Sequence, residues 1–419
     1  MLDIKFIAEN PDIIKKGAQK KHVEVDIDKI LKLYEERNSI LQKLETLRAK
    51  QNKVSKEIPT TTDKDALLKE MKKVKEEQKS LEPKIAKLEE QLNALVLDIP
   101  NPPLASVPDG KDENDNKVLR THGKKPTFDF EPKDHIALGK SLDIIDIERG
   151  ARTSGTRFYY LKNDAVLLEF ALIQFVLEKL TKKGFSPIIP PVLVKEEAMF
   201  ATGFFPADRN EIYHVNPAED DLYLVGTAEV PLNMLHATEI IPEKDLPLHY
   251  CGFSTCFRRE AGSYGKDTAG IIRVHQFDKV EMFIFCKPEE SEKKHEFILE
   301  TEEEIMKELG FHYQVVNICG GDLGAPAAKK YDIEVWIPTQ NKFRELTSCS
   351  NCTDFQARRS QIRFKTEKGT IHVHTLNGTA VAIARALVAI LENFQNEDGS
   401  VNIPKPLQKY MGNKTKITP

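Results

Sequence analysis

Two stretches between residues 27 and 99 repeat apolar residues at alternating steps of three and four, and no other pattern restricts the fold of this chain as strongly. Residues 58–63, which include Pro59 and three threonines, separate the stretches and interrupt any helix. The two predicted helices must therefore fold back on each other as an antiparallel coiled-coil arm. The first series is Leu33, Arg37, Ile40, Leu44, Leu47, Gln51, Val54 and Ile58, and the second is Leu67, Met71, Val74, Gln78, Leu81, Ile85, Leu88, Leu92, Leu95 and Ile99.

The predicted arm is a rod, because a helix rises about 1.5 Å per residue and extends for roughly 45 Å over thirty residues. We expect Asp63 to cap the second helix and Pro83 to kink it locally. Between Lys43 and Lys79, eleven lysines and arginines against seven acids give a charge of +4, whereas the whole chain carries −4. Two interpretations stay open: the charges solvate the rod, or the rod is a lever that contacts nucleic-acid phosphates.

The composition changes near residue 99, where proline, asparagine and aspartate become frequent as far as about residue 125. Such a segment is typical of a linker. A chain of 419 residues also exceeds what one hydrophobic core usually supports. We therefore predict an N-terminal domain at residues 1–100 with the arm at about 27–99, a linker at 101–125 and a second domain at 126–419.

The second domain is predicted to be α+β, with an antiparallel β-sheet and flanking helices. Its strand and helix patterns do not alternate as βαβ units, and the sequence lacks the Gly-x-Gly-x-x-Gly and Walker phosphate-binding loops. Helices are expected near residues 164–183, 288–309 and 379–393, and strands near 186–194, 222–225, 249–285, 313–318, 333–337 and 342–348.

The densest polar pattern of this domain lies on a predicted hairpin, whose strands at 250–260 and 271–285 flank a glycine-rich loop at 261–270. Charged groups on half-buried strands are costly unless something pairs with them. One interpretation is a salt-bridged solvent face, and the other is a site for phosphate, a flat base and a small polar substrate. The residues concerned are Arg258, Arg259, Glu260, Arg273, Phe277 and Glu281.

Composition and cysteine usage exclude several classes of protein. The nearly balanced charge is neither that of a basic nucleic-acid coat nor that of an acidic tail. No apolar signal-peptide core follows Met1 and no apolar run approaches 18 residues, so we expect a cytoplasmic protein with no membrane partner. Six scattered cysteines argue against a disulfide scaffold. Cys349 and Cys352 have metal-ligand spacing, but without a second pair ordinary packing is the favoured interpretation.

A series of ordered motifs covers essentially the whole chain. The set resembles the three motifs of class II aminoacyl-tRNA synthetases, and specifically the seryl-tRNA synthetase family of the bacterial type, including its arm and proline-rich hinge. The three class II motifs are similar to residues 180–194 with Pro190-Pro191, the hairpin with Cys256-Phe257-Arg258-Arg259-Glu260, and residues 376–387 (Leu-Asn-Gly-Thr-Ala-Val-Ala-Ile-Ala-Arg-Ala-Leu). Three signatures of the serine type lie between them: Thr227-Ala228-Glu229, residues 344–352 (Arg-Glu-Leu-Thr-Ser-Cys-Ser-Asn-Cys) and residues 354–359 (Asp-Phe-Gln-Ala-Arg-Arg).

The resemblance implies an ATP-dependent ligase that activates L-serine and transfers the seryl group to the 3′ end of tRNA(Ser), with tRNA(Sec) as a further acceptor. It implies that Arg258 and Arg385 are the catalytic residues and hold the α- and γ-phosphates, because guanidinium groups match oxyanions. Phe277 would stack on adenine, and Glu345 with Ser348 would hold Mg²⁺. The implied ATP-binding set is Arg258, Arg259, Glu260, Val274, Phe277, Glu345, Leu346, Thr347, Ser348 and Arg385.

The same resemblance implies how serine is selected and how the subunits assemble. Polar groups built to bond a hydroxyl reject an analogue without it by about 10⁴–10⁵, which would exclude alanine. The first motif implies a homodimer, in which the arm of one subunit reaches tRNA held on the other. The implied serine-binding set is Thr227, Ala228 and Glu229 for the ammonium end and Glu281, Asn377 and Thr379 for the hydroxyl.

Three other interpretations compete with this enzyme. A synthetase-like protein that binds tRNA without activating an amino acid would lack some of Arg258, Glu260, Glu345 and Arg385, and all four are present. A coiled-coil scaffold with an incidental globular domain does not account for the ordered motifs. An amino-acid:carrier-protein ligase of the same fold generally lacks such an arm. The chain departs from the family at Ala269, where an arginine is usual.

Overall fold

The computed structural model describes residues 2–57, 64–261, 269–367 and 369–419. The chain forms two compact units, Met1–Pro102 and Pro103–Pro419. The described part has the α+β architecture predicted above, with a helical first unit and an antiparallel sheet with helices in the second. The predicted helix break at 58–63, with its capping residue Asp63, and residues 262–268 of the predicted loop lie outside the described residues.

Helices make up the first unit and flank the sheet of the second. In the described residues they are α1 (Ile4–Glu9), α2 (Pro11–Lys20), α3 (Ile27–Glu57), α4 (Lys64–Leu97), α5 (His135–Ser141), α6 (Ile147–Ser154), α7 (Asp164–Lys182), α8 (Glu196–Thr202), α9 (Glu229–Met234), α10 (Ser291–Leu309), α11 (Phe355–Ser360), α12 (Ile383–Asn393) and α13 (Lys405–Gln408).

The long helices α3 and α4 form the predicted antiparallel pair. Arg37 pairs with Glu89 at 2.9 Å and Lys50 pairs with Glu70 at 2.6 Å, so the partners run in opposite directions along the two helices. Helix α4 continues through Pro83, and the local kink expected there stays a prediction. The repeat packs as a coiled-coil seam, whose buried residues on α3 and α4 are Leu44, Val54, Val74, Ile85, Leu88 and Leu92. Near the end of α4, Val96 is buried in place of the predicted Leu95.

The strands of the second unit fall into one large sheet and several small ones. They are β1 (Lys117–His122), β2 (Ile145–Asp146), β3 (Tyr160–Leu161), β4 (Ser186–Ile188), β5 (Leu193–Lys195), β6 (His214–Val215), β7 (Leu222–Leu224), β8 (Ile240–Ile241), β9 (Leu248–Phe257), β10 (Gln276–Cys286), β11 (Tyr313–Asn317), β12 (Lys329–Ile337), β13 (Lys342–Asn351), β14 (Arg363–Thr366), β15 (Gly369–His372), β16 (His374–Ala382), β17 (Val401–Asn402) and β18 (Lys416–Ile417).

The large sheet has the strand order β1-β11-β12-β13-β16-β10-β9-β4. Its pairs are antiparallel except for β4, which runs parallel to β9. Leu172 of α7, Ile298 of α10 and Leu387 of α12 belong to the same buried core as Val280 and Leu376 of the central strands. Helices therefore cover the sheet and bury β10 and β16 at its centre, where the polar side chains described below lie.

Three predicted boundaries are wrong. The strand predicted at 186–194 splits into β4 and β5 of different sheets, because Pro190 and Pro191 between them have no N–H to donate to a ladder. The last helix begins at Ile383, since residues 379–382 belong to β16 and pair with β10. The hairpin strands end at Phe257 and resume at Gln276, so the charged residues beside the loop lie outside the ladder.

Part of the segment predicted as a linker is packed onto the second unit. Strand β1 pairs with β11 at the edge of the large sheet, although all of its residues are exposed. The backbone N–H of Leu104 donates to the carbonyl of Ala328 at 2.8 Å, and Val107 is buried against Val316 and Ile318. An exposed edge strand keeps the polar composition of a linker, which is why the sequence pattern did not reveal it.

The six cysteines are buried free thiols, and Cys349 lies in the main core. Burial raises the pKa of the Cys251 and Cys286 thiols to about 12. Both groups are therefore protonated and unreactive at neutral pH. Among the described helices, none combines the length and apolar character needed to span a membrane.

Candidate active site

The hairpin strand β10 lies between β9 and β16 and lines an open pocket of about 570 Å³. The β10–β16 register sets Glu281 opposite Thr379, and the β9–β10 register sets Phe277 opposite Cys256. Residues distant in sequence thus meet on one sheet surface. Those that line the pocket are Arg258, Glu260, Ile272, Arg273, Val274, Phe277, Lys279, Glu345, Leu346, Ser348, Thr379, Ala382, Ala384 and Arg385.

Arg258 lies over the ring of Phe277, with its guanidinium carbon 5.3 Å from the ring centre. Its Nε donates to the carbonyl of Gly226 at 3.3 Å, and its backbone N–H donates to the carbonyl of His275 at 3.0 Å. The guanidinium is therefore oriented before any ligand arrives. An aromatic face beside a fixed cation suits a planar base attached to phosphate.

Arg385 and Glu345 form an ion pair at another wall of the pocket, with Nη1 3.2 Å from Oε2. The same Nη1 donates to the Glu345 carbonyl at 2.7 Å. Burial acts to raise the pKa of the Glu345 carboxyl, but Arg385 and Lys330 outweigh it and lower this pKa to about 2. Glu345 is therefore an ionised oxygen donor at neutral pH, beside the hydroxyl of Ser348.

A buried polar network forms the inner end of the site. Lys279 donates to the hydroxyl of Thr227 at 2.7 Å and lies 2.5 Å from the carboxylate of Glu281. Thr379 donates to the same carboxylate at 3.3 Å. All four side chains are less than one-tenth exposed. Their hydroxyl and carboxylate groups could bond a small ligand that carries a hydroxyl group, because such a ligand supplies the matched partners that buried polar groups require.

Glu229 lies beside this network at the start of α9. Its carboxylate accepts from Gln356 Nε2 at 2.6 Å, and its backbone N–H donates to the Thr227 hydroxyl at 3.2 Å. Burial, followed by the neighbouring carboxylate of Glu281, raises the pKa of Glu229 to about 7. The site therefore contains a carboxyl group poised to gain charge when a cation binds.

The structure brings together most of the residues implied for the site and directs a few elsewhere. The side chain of Thr347 donates to Glu302 at 3.3 Å, away from the pocket. Asn377 contacts the sulfur of Cys352 at 3.8 Å. Glu260 pairs with Arg273 and has a positive φ of 52°, a conformation uncommon outside glycine.

Seven of the implied residues are not among those that line the pocket: Arg259, Thr347, Thr227, Ala228, Glu229, Glu281 and Asn377. The backbone N–H of Arg259 donates to the carbonyl of Glu211 at 2.8 Å. Ala228 is fully buried at the N-terminus of α9.

Lys279 is the residue that sequence reasoning missed. It is 6% exposed, and its ammonium joins two of the predicted serine-binding residues. Lys279 and Glu281 are two apart on a strand and so share one face, which is the signal that could have identified the lysine. A buried lysine requires a carboxylate or an oxygen acceptor, and the pattern Lys-x-Glu supplies one.

Comparison with known proteins agrees with the motifs. A family model described as "Seryl-tRNA synthetase N-terminal domain" matches residues 1–103, and one described as "tRNA synthetase class II core domain (G, H, P, S and T)" matches residues 213–394. The chain is 48% identical to the serine–tRNA ligase of Dictyoglomus thermophilum over an alignment 419 positions long, which covers 98% of each chain.

Two solved structures are similar over nearly the full length. The crystal structure of seryl-tRNA synthetase from Pyrococcus horikoshii complexed with ATP matches with a TM-score of 0.94 and 45% identity over 100% of both chains. The cytoplasmic serine–tRNA ligase from Naegleria fowleri in complex with AMP matches with a TM-score of 0.91 and 34% identity, covering 100% of this chain and 99% of that one.

Proposed function

This chain belongs to the seryl-tRNA synthetase family, and from that premise we propose how its residues divide the work of a serine–tRNA ligase. The enzyme activates L-serine with ATP and transfers the seryl group to tRNA. One observation supports our assignment above the others: Lys279 and Thr379, which both contact the buried carboxylate of Glu281, line the same pocket as the Arg258–Phe277 pair. The test is ATP–pyrophosphate exchange with each of the twenty amino acids, where we expect exchange with serine. A protein that binds tRNA but shows no exchange with serine would contradict the assignment.

For ATP, Phe277 is the adenine platform, Arg258 binds the α-phosphate and Arg385 binds the γ-phosphate. The serine carboxylate attacks the α-phosphorus, a bond to the bridging oxygen breaks, and pyrophosphate leaves. Fixed guanidinium groups stabilise the charge that develops on the phosphates, because they need no reorganisation during the reaction. Glu260 accepts from the adenine amino group, which requires its contact with Arg273 to rearrange or to be shared.

The remaining ATP contacts fall into two groups. Val274 and Leu346 are buried side chains that line the pocket and supply apolar contact. The backbone N–H of Arg259 and the side chain of Thr347 are bonded elsewhere, so we assign Arg259 a side-chain contact to ATP and Thr347 a contact that follows rearrangement.

The donor set of the pocket fits Mg²⁺. The ionised carboxylate of Glu345 and the hydroxyl of Ser348 line the pocket and would hold Mg²⁺, because this ion prefers oxygen ligands. In the described ranges, no three His, Cys, Asp or Glu side chains converge as a metal-binding group. When bound, Mg²⁺ supplies charge neutralisation between the phosphates.

For serine, Thr227 and Glu229 bind the ammonium group, with Ala228 holding the backbone between them. Glu281 and Thr379, together with Asn377, bond the hydroxyl. Lys279 keeps Thr227 and Glu281 in place, because its ammonium contacts both.

The ionisation of Glu229 should make serine binding dependent on pH. Its pKa in the free site is about 7, raised by burial, whereas the serine ammonium stays charged well above that pH. Below pH 7 the carboxyl gains a proton and loses its attraction for the ammonium group. We expect the KM for serine to rise about tenfold between pH 8 and pH 6. Exchange assays over this range check the expectation.

A Glu229→Gln variant is the matched control for this pH dependence. It should have a high KM for serine that no longer changes between pH 8 and pH 6. A rise of the same size in wild type and variant would show that another group titrates.

We propose that tRNA is held by the first domain. Residues 1–100 form the tRNA-binding domain, the segment at 101–125 joins it to the catalytic domain at 126–419, and the basic half of the arm contacts phosphates of tRNA(Ser). The arm would recognise tRNA by its overall shape, and tRNA(Sec) is a second acceptor if it presents the same shape. These substrates place the activity in the cytoplasm.

We propose that the catalytic domain forms a homodimer through its motif 1 surface. Ile189 is 83% exposed, and Leu167 and Phe170 of α7 are each more than half exposed. Large apolar side chains that are this exposed in a single chain are candidates for a protein interface. Changing Ile189 and Phe170 to aspartate should convert dimer to monomer in sedimentation analysis, because two buried charges would lie unpaired.

The control for the interface is Ile13→Asp, which changes an isoleucine of the first unit that is 51% exposed. Its mass in solution should equal that of the wild type. A double variant that keeps the wild-type mass would contradict the assignment of the dimer surface.

A further inference from the structure

His135 begins α5 and is buried beside the segment that returns from the hairpin loop. Its Nδ1 lies 2.8 Å from Oε1 of Glu392, and its Nε2 lies 3.2 Å from the backbone nitrogen of Ile271. The His135 backbone N–H also donates to Glu392 at 3.1 Å. The imidazole therefore connects helix α12, which carries Glu392, with the segment around Ile271 that follows the hairpin loop.

The partners fix the tautomer of this imidazole. The backbone N–H of Ile271 can only donate, so Nε2 of His135 accepts and carries no proton. Nδ1 then carries the proton and donates to Glu392. The second oxygen of Glu392 accepts from the Thr339 hydroxyl at 2.6 Å, so the carboxylate cannot turn away. Both ring nitrogens of His135 are thus committed.

Close packing at Gly270 confirms how tightly the ring fits. A Cβ built on Gly270 would lie 1.9 Å from Nε2 of His135, and this glycine has a positive φ of 76°. A residue with a side chain cannot occupy the position without displacing the imidazole. The glycine therefore allows the ring to reach the backbone N–H of the next residue.

The segment that His135 contacts also bonds Arg385, the residue proposed to bind the γ-phosphate. The carbonyl of Ile272, next to Ile271, accepts from Nε of Arg385 at 3.4 Å. Arg385 and Glu392 both lie on α12, so contacts run from Glu392 through His135 and residues 271–272 back to Arg385. This closed set of contacts holds one side of the Arg385 guanidinium, while Glu345 holds the other.

We propose that His135 is a positioning residue for ATP binding: by bonding the backbone of Ile271 it fixes the carbonyl that orients Arg385. The inference deepens the proposed function, since it rests on the role of Arg385 with the γ-phosphate. His135 itself touches neither ATP nor serine. Its loss should weaken ATP binding without changing serine binding, whose residues lie on β10, β16 and the start of α9.

Two substitutions at His135 separate positioning from simple packing. The amide of His135→Gln reaches the place of Nε2 and can accept from Ile271, whereas the amide of His135→Asn reaches only the place of Nδ1. In pyrophosphate exchange, we expect H135N to raise the KM for ATP about three- to tenfold, the effect of one lost hydrogen bond. H135Q should stay near wild type, and neither variant should change the KM for serine.

Hydrogen exchange supplies a readout apart from activity. The Ile271 amide should exchange slowly in wild type and H135Q and faster in H135N. Gly270→Ala provides a second route should H135N fold poorly, because the added Cβ displaces the ring. Its effect on the KM for ATP should not add to that of H135N.

The outcomes distinguish this inference from the proposed function. Equal KM values for ATP in H135N and H135Q, or a parallel rise of both KM values with a lowered Tm, would overturn the positioning role. Arg385→Ala is the reference: loss of exchange in R385A beside an unaffected H135N overturns this inference alone. Unchanged exchange in R385A overturns the role of Arg385 and the inference together.

Discussion

Replacing Arg258 with alanine should reduce serine-dependent ATP–pyrophosphate exchange by at least about 100- to 1,000-fold, the loss expected when one preorganised donor to a developing oxyanion is removed. The guanidinium is held by the carbonyl of Gly226 and lies over the ring of Phe277, so its orientation is fixed before ATP binds. Arg258→Lys should recover only a small part of the rate. Lysine keeps the charge but not the planar pair of donors.

Arg149→Ala is the control for this experiment, because Arg149 is an exposed arginine paired with Asp146 on α6, away from the residues that line the pocket. Its exchange rate should match the wild type, and both variants should keep the wild-type Tm. Substantial exchange in R258A at saturating ATP would contradict the role assigned to Arg258 and leave Arg385 as the main phosphate ligand.

Replacing residues 30–97 with a short loop should leave exchange intact and reduce charging of tRNA(Ser) to below about 1% of the wild-type rate, because the phosphate contacts of the arm are lost together. None of the residues that line the pocket comes from this segment. The two half-reactions, measured on the same preparation, check the expectation. Unchanged charging would show that the arm is not needed to bind tRNA.

A charge-reversal variant separates phosphate contact from mere length of the arm. Lys72, Lys73 and Lys75 changed to glutamate keep the helix but remove the local positive charge. If the arm contacts phosphates, this variant should raise the KM for tRNA and weaken the salt dependence of charging. If the charges only solvate the rod, charging should stay at the wild-type level.

Local patterns predicted the two helices of the arm and the two strands of the hairpin, because both depend on contacts between near neighbours or on a strict period, although the strand ends beside the loop were predicted wrongly. The buried seam from Leu44 to Leu92 follows from the heptads alone, whereas near its end Val96 is buried in place of the predicted Leu95. Residues 379–382 were predicted as helix, since an alanine- and valine-rich run is apolar on every side whether it is a helix or a central strand. Only pairing with β10, about 100 residues earlier in the chain, decides between them.

The site could be predicted only where the family resemblance supplied roles. Arg258, Phe277, Glu345 and Arg385 meet in one pocket, as the motifs implied. Lys279 escaped notice, because its importance depends on contacts with a distant threonine that no local pattern shows. The orientation of Thr347 toward Glu302 likewise depends on packing beneath the sheet.

Strand β16 passes into α12 with no residue between them, since Ala382 ends the strand and Ile383 begins the helix. Five residues therefore separate Thr379 from Arg385 without an intervening loop, and one of them, Ala380, is the extra residue where the pairing of β16 with β10 shifts register. This stretch of backbone sets the distance between the proposed serine site at Thr379 and the proposed γ-phosphate site at Arg385. Loops elsewhere in the domain can change length without altering this distance, whereas an insertion or deletion between residues 379 and 385 would alter it.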